Sequence, residues 1–207
     1  MAADSIRIFD LHCDTLDSLS MHDVEPFSRY ASNVREGDDL THNSLQLSLG
    51  RMAQAGSWCQ CFAVWVPDDL SKTGLKPHEF YRKVASYFRE QLEEHKPEVC
   101  QVLDGRKVED AFSDGRVAAM LTVENASPLE DGLSVLDEMR SDGVKMITLT
   151  WNGHNCIGSG NDTREGLSSF GIKALKRMEE LHIVADVSHL NDAGFRDVLS
   201  HATRPFV

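Results

Sequence analysis

Residues 116–150 read RVAAMLTVENASPLEDGLSVLDEMRSDGVKMITLT. The first nine form an apolar run with almost no polar interruption, ending at Glu124. Residues 129–143, LEDGLSVLDEMRSDG, have helical spacing and a glycine stop at Gly143. VKMITLT, 144–150, is again apolar. A strand, a helix and a second strand, both strands apolar on both faces, are the signature of a parallel sheet covered by helices.

The same alternation extends outward. Ile6–Leu11 is a short apolar strand with a buried look. In 41–56, Leu45, Leu49 and Met52 fall at helical spacing before Gly56. Residues 58–66 form a second strand, ended by Pro67. Pro77 opens a helix running to about Glu94, and Val99–Leu103 reads as a short strand. Residues 105–115 read as a short helix. A long polar loop, 151–168, leads to a helix from about Ser169 to Leu181. Residues 182–189, HIVADVSH, form the next strand, and Asn191 caps the next helix. RPFV, 204–207, reads as the start of another strand. An open Rossmann-type sheet and a TIM barrel both fit this order. No G-x-G-x-x-G follows the first strand, which weakens the dinucleotide-binding reading.

The reactive side chains collect at one end of these strands. Strand one runs into His12 and Asp14, the 116–124 strand ends at Glu124, 144–150 leads to Trp151, Asn152 and His154, and 182–189 ends at His189. In α/β barrels the carboxyl ends of the strands carry the active site. A carboxylate closing a run of Val, Ala, Met and Leu needs compensation for its desolvation, which a divalent metal supplies. Taken singly, a strand-end histidine is more often hydrogen-bonded than metal-bound. The combination of four favours a metal, and zinc takes such nitrogen and oxygen ligands readily.

The chain has 207 residues and a formal charge of −12, from 21 basic and 33 acidic residues. An acidic protein lacks the basic face that phosphate contacts require, so nucleic acid is excluded as a partner. No apolar stretch approaches a membrane span, and the N-terminus lacks a secretory layout, so the cytoplasm is the expected compartment. Five cysteines make no zinc-finger pattern. Cys59 and Cys61 read as small core residues.

FDLHCDTL, 9–16, resembles the opening metal motif of the membrane (renal) dipeptidase family and its bacterial cytosolic relatives. Residues 118–155 are similar to that family's central region, and 166–199, with the motif D-V-S-H, to its next block. The resemblance runs over essentially the whole chain. It implies a (β/α)8 TIM barrel of the metal-dependent hydrolase type and hydrolysis of dipeptides, including those with a C-terminal D-residue. It also implies two zinc ions per complete site. His12 and Asp14 would hold the first ion, His189 the second, and Glu124 would bridge them as the catalytic carboxylate. Animal members carry a histidine just after the LTLT strand where Trp151 stands here; His154 is the candidate substitute for contacting substrate.

A complete barrel needs about 250 residues. The expectation is therefore a single domain, 1–207, holding about the first five βα units, with the second zinc site incomplete. The family's further histidine, its substrate-binding arginine and its late aspartate would fall beyond Val207. Such a chain would expose apolar edges and be prone to self-association as a homo-oligomer. Two other readings stay open: a non-catalytic fragment that folds by association, and another amidohydrolase-type barrel. The latter often carries H-x-H on the first strand, where this chain has His-x-Asp.

Overall fold

The computed structural model describes residues 6–24 and 27–207. The elements in chain order are β1 (Arg7–Asp10), α1 (Thr15–Ser20), α2 (Phe27–Tyr30), α3 (Leu49–Ala55), β2 (Ser57–Trp65), α4 (Pro77–Glu94), β3 (Val99–Gln101) and α5 (Gly105–Ser113). There follow β4 (Val117–Glu124), α6 (Val135–Ser141), β5 (Met146–Thr148), α7 (Ser169–Glu180), β6 (Val184–Asp186) and α8 (Asp192–His201). Short 3-10 turns cover Leu70–Thr73 and Ser127–Asp131. No helix among the described residues is long and apolar enough to cross a membrane.

The chain divides into two compact units, residues 1–64 with 83–121, and residues 65–82 with 122–207. In the first unit β1 runs parallel to β2, with Phe9 opposite Cys59, and β3 runs parallel to β4, with Cys100 opposite Ala118. Cys59 packs with Val102, Val108, Ala111 and Ala118. It is a core residue, as its place in an apolar strand implies, and burial pushes its thiol up to about 11.

In the second unit the end of β4 pairs parallel with β5, Glu124 opposite Thr148, and β5 pairs parallel with β6, Thr148 opposite Asp186. Val207 continues the pattern: its N–H donates to Ala185 O at 3.1 Å, and its carbonyl accepts from Val187 N–H at 2.8 Å. RPFV thus ends in strand-like pairing with β6, as its sequence suggests.

Several expected boundaries shift for identifiable reasons. The helix expected over 41–56 begins only at Leu49, because the Ser48 hydroxyl accepts from Arg51 N–H and caps it there. Residues 129–143 are not one helix. A 3-10 turn ends at Gly132, whose φ of 112° breaks the run before α6 begins at Val135. β3 is real but short and makes a sixth strand. Ile6, Phe9 and Leu11 are exposed rather than buried.

Candidate metal centre

In the first unit the β1–β2 ladder outlasts β1. Cys13 N–H donates to Cys61 O at 3.1 Å, and Ala63 N–H donates to Cys13 O at 3.0 Å. Residues 12–14 therefore stay pinned along β2. Cys13 points inward and is buried. His12 and Asp14, one residue to either side, point the other way. His12 Nε2 lies 3.0 Å from Asp14 Oδ1. Burial pushes the Cys13 thiol up to about 12, so it stays protonated at neutral pH. With Thr15, Ser18 and Leu45–Leu47, these residues line a cleft of about 260 Å³.

In the second unit Glu124 is 7% exposed at the end of β4. Its carbonyl accepts from Val66 N–H at 3.0 Å. The chain then turns sharply, with Asn125 at a φ of 75°. A non-glycine residue is held there by its side chain. Asn125 Nδ2 donates to Val66 O at 2.7 Å and to Asp68 Oδ1 at 3.1 Å. Its Oδ1 accepts from Asn155 Nδ2 at 2.8 Å and from Ser127 N–H at 3.2 Å. Asp68 Oδ2 in turn accepts from Gly153 N–H at 2.7 Å. Desolvation raises the Asp68 carboxyl above its ordinary value, opposed by the Gly153 hydrogen bond.

His189 is also at positive φ, 67°. The aspartate of D-V-S-H builds the turn that presents it. Asp186 is buried; its Oδ2 accepts from Thr148 Oγ1 at 2.6 Å and its Oδ1 from Ser188 N–H at 2.9 Å. His189 Nδ1 lies 3.1 Å from Asn152 Oδ1, and Nε2 lies 2.9 Å from Glu124 Oε1. The Trp151 ring centroid is 6.4 Å from that of His189 and 5.1 Å from that of Trp65.

These contacts carry a chemical constraint. An Nδ1–H donated to the Asn152 carbonyl leaves Nε2 with a bare lone pair facing a carboxylate oxygen. Something positive must lie between them, either a proton or a metal ion. Two donors on one tetrahedral zinc, each bonded at ~2.0–2.1 Å, stand roughly 3.3 Å apart. The His12–Asp14 pair at 3.0 Å and the Glu124–His189 pair at 2.9 Å are close to that separation. The nitrogen and oxygen donors in both units suit zinc.

The structure thus brings His12 together with Asp14, and Glu124 together with His189. His154 stands apart from them. It is exposed, its Nδ1 lies 3.1 Å from Ser159 Oγ, and no hydrogen bond among the described residues joins it to Glu124 or His189. It lines a different cleft, with Asp68 and Asn125. Asn125, Asn155 and Asp68 escaped the sequence reading, and Asn152 was placed at a strand end without its role as the partner of His189. Their signal was weak: asparagines in a loop and an aspartate after a strand, with nothing to say they are partners.

The family model for membrane dipeptidase, peptidase family M19, matches residues 2–207. An uncharacterized protein of Acinetobacter calcoaceticus is 24% identical over 98% of this chain and 69% of its own length. The solved structure of the M19 metallopeptidase dipeptidase AC superposes with a TM-score of 0.79 at 24% identity, over 98% of this chain and 62% of that one. A metallopeptidase of Rhodobacter sphaeroides, solved with a phosphinate mimic of the dipeptide L-Ala-D-Ala, gives 0.77 at 23% identity, over 98% of this chain and 64% of that one. The chain therefore spans less than two thirds of each of these two solved chains. The strand–helix order and parallel pairing are those of a partial (β/α)8 barrel. The chain belongs to the membrane dipeptidase family, peptidase family M19.

Proposed function

We propose that this chain is the metal-binding part of a zinc-dependent dipeptidase. His12, Asp14, Glu124 and His189 would hold the metal, with Glu124 shared between two ion sites, of which the one at His189 is the less complete. The observation that carries the reading is the buried Glu124 carboxylate with the His189 imidazole nitrogen 2.9 Å away, in a member of this family. The substrate class is a dipeptide, including one with a C-terminal D-residue, which the mimic bound to the Rhodobacter relative supports.

A bound metal would supply Lewis acidity and a hydroxide available near neutral pH. The chain's own residues prepare the place. Asn152 orients the His189 ring, and Asp186 sets the turn beneath it. The Asn125 network fixes the backbone directly after Glu124. His154, in the loop after β5, would be the residue that contacts substrate.

Zinc titration of the purified chain, followed by gel filtration and metal analysis, tests the proposal. About one tightly held ion is expected, and Glu124→Gln should abolish retention. Equal retention by Glu124→Gln would overturn the assignment.

A second reading, a non-catalytic fragment that folds by association, draws on the exposed apolar residues Ile6, Phe9 and Leu11. Metal-dependent turnover of L-Ala-D-Ala by the chain, lost in Glu124→Gln, would exclude it.

A further inference from the structure

Residues 38–48 reach the start of α3 without regular structure, and short polar side chains shape their path. Asp38 Oδ2 accepts from Arg35 N–H at 3.0 Å and from Ser44 N–H at 3.1 Å. Asp39 Oδ1 accepts from the N–H groups of Thr41 and His42 at 2.8 and 2.6 Å. Asn43 Oδ1 accepts from Leu45 N–H at 3.1 Å. Such bonds to nearby backbone stand in for the ladder that a loop lacks. Arg51 on α3 ties the loop down. Its Nη1 donates to Asn43 O at 3.1 Å, its Nη2 to Leu45 O at 2.6 Å and its Nε to Gln46 O at 3.3 Å. At the base, Leu49 N–H donates to Leu40 O at 2.9 Å, and Leu40 N–H donates to Oε1 of buried Gln91 at 2.9 Å.

This fixed loop forms one wall of the cleft of about 260 Å³ that also contains His12 and Asp14. Leu45 and Leu47 line the cleft and are half-buried, so each keeps part of its side chain open to it. A single partly exposed leucine is ordinary. Here the loop's core anchors are already supplied by Leu40 and Leu49, which are fully buried on either side. Leu45 and Leu47 are held instead beside two metal-ligand candidates.

The chemistry of amide hydrolysis says which part of a dipeptide meets them. The carbonyl that a metal polarises belongs to the N-terminal residue, whose side chain branches from the adjoining carbon. The C-terminal side chain lies beyond the scissile nitrogen. We propose that Leu45 and Leu47 form the subsite for the N-terminal side chain of the substrate and select an aliphatic one. This subsite presupposes the dipeptidase reading above and adds a side-chain preference to it. Besides His12 and Asp14, no charged residue lines the cleft among the described residues, so a charged substrate side chain would find no partner there. The volume lies below the usual range for a whole ligand and suits one side chain.

Amino-acid hydroxamates test the subsite, since the hydroxamate binds zinc and presents a single side chain beside it. In calorimetry the zinc-loaded chain should bind L-leucine hydroxamate about tenfold more tightly than glycine hydroxamate, because about half the surface of four extra carbons leaves water. L-serine hydroxamate should gain nothing over glycine hydroxamate, its hydroxyl being desolvated against leucine. Leu45→Ala and Leu47→Ala should each cut the leucine-to-glycine ratio about threefold. Glycine hydroxamate, with no side chain, reports in each variant whether the metal site has formed. Equal binding of the leucine and glycine probes, an equal gain for serine, or a ratio indifferent to both leucine substitutions would overturn the subsite and leave the zinc assignment standing. A chain that retains no zinc would overturn the zinc assignment, and the subsite with it.

Discussion

At Asn125 and His189 the backbone adopts φ values of 75° and 67°. Such conformations cost on the order of 1–3 kcal/mol and persist where neighbours over-determine them. Asn125 meets that condition through four hydrogen bonds. Asn125→Ala should therefore lose both the bonds and the tolerance for positive φ, costing about 2–4 kcal/mol in urea unfolding. Asn125→Gly loses the bonds but relaxes the backbone, and should be about 1 kcal/mol more stable than the alanine variant. Equal stability of the two would show that the turn is not strained. The metal-ligand candidates could be read from the sequence because each lies at or just beyond the carboxyl end of a strand and is a residue that needs a partner. Asn125 could not, because only folding brings Val66, Asp68 and Asn155 to it.

Elements were legible where a local signal agreed with the packing. Pro77 opens α4, and Asn191 caps α8 by accepting from Gly194 N–H at 2.9 Å. The signal failed over 41–47, where helical spacing of leucines had no cap until Ser48. Long-range ion pairs were invisible for the same reason as Asn125. At the start of α4, Arg82 Nε and Nη2 reach the two Glu138 oxygens on α6 at 2.6 and 2.8 Å, and His78 Nε2 lies 3.0 Å from Oε2. The Arg82 hydrogen bonds, chiefly, hold the Glu138 carboxyl below its ordinary value. A depressed folded-state pKa gives stability present above the ordinary carboxylate range and lost as pH falls through the folded value. Glu138→Gln should cost about 1–2 kcal/mol at pH 7, a gap that closes as pH drops below about 4. A gap independent of pH would mean that packing, not charge, links these helices.

At the scale of the molecule, the strand–helix alternation settled the architecture while the exposure of the first strand was misjudged. Apolarity alone does not say whether a strand has neighbours on both faces. In the first unit Ile6 is 68% exposed, with Phe9 and Leu11 about half exposed. In the second unit Leu199 is 63% exposed, with Phe195 and Val207 also open. Exposed apolar side chains in this number favour association. The chain should sediment as a concentration-dependent oligomer at micromolar levels despite its charge of −12. Phe9→Glu or Leu199→Glu should shift it toward monomer. A concentration-independent monomer would contradict this.

The buried thiols give the protein a built-in clock. Burial pushes the thiol of Cys13, and that of half-buried Cys156, up to about 12. At neutral pH an alkylating reagent finds almost no nucleophile until the surrounding segment opens. Cys13 lies between His12 and Asp14, so its labelling rate reads the opening of that strand end alone. Mass spectrometry of iodoacetamide-treated chain should show Cys13 modified far more slowly with zinc present than after EDTA, while Cys59 marks the opening of the core behind it.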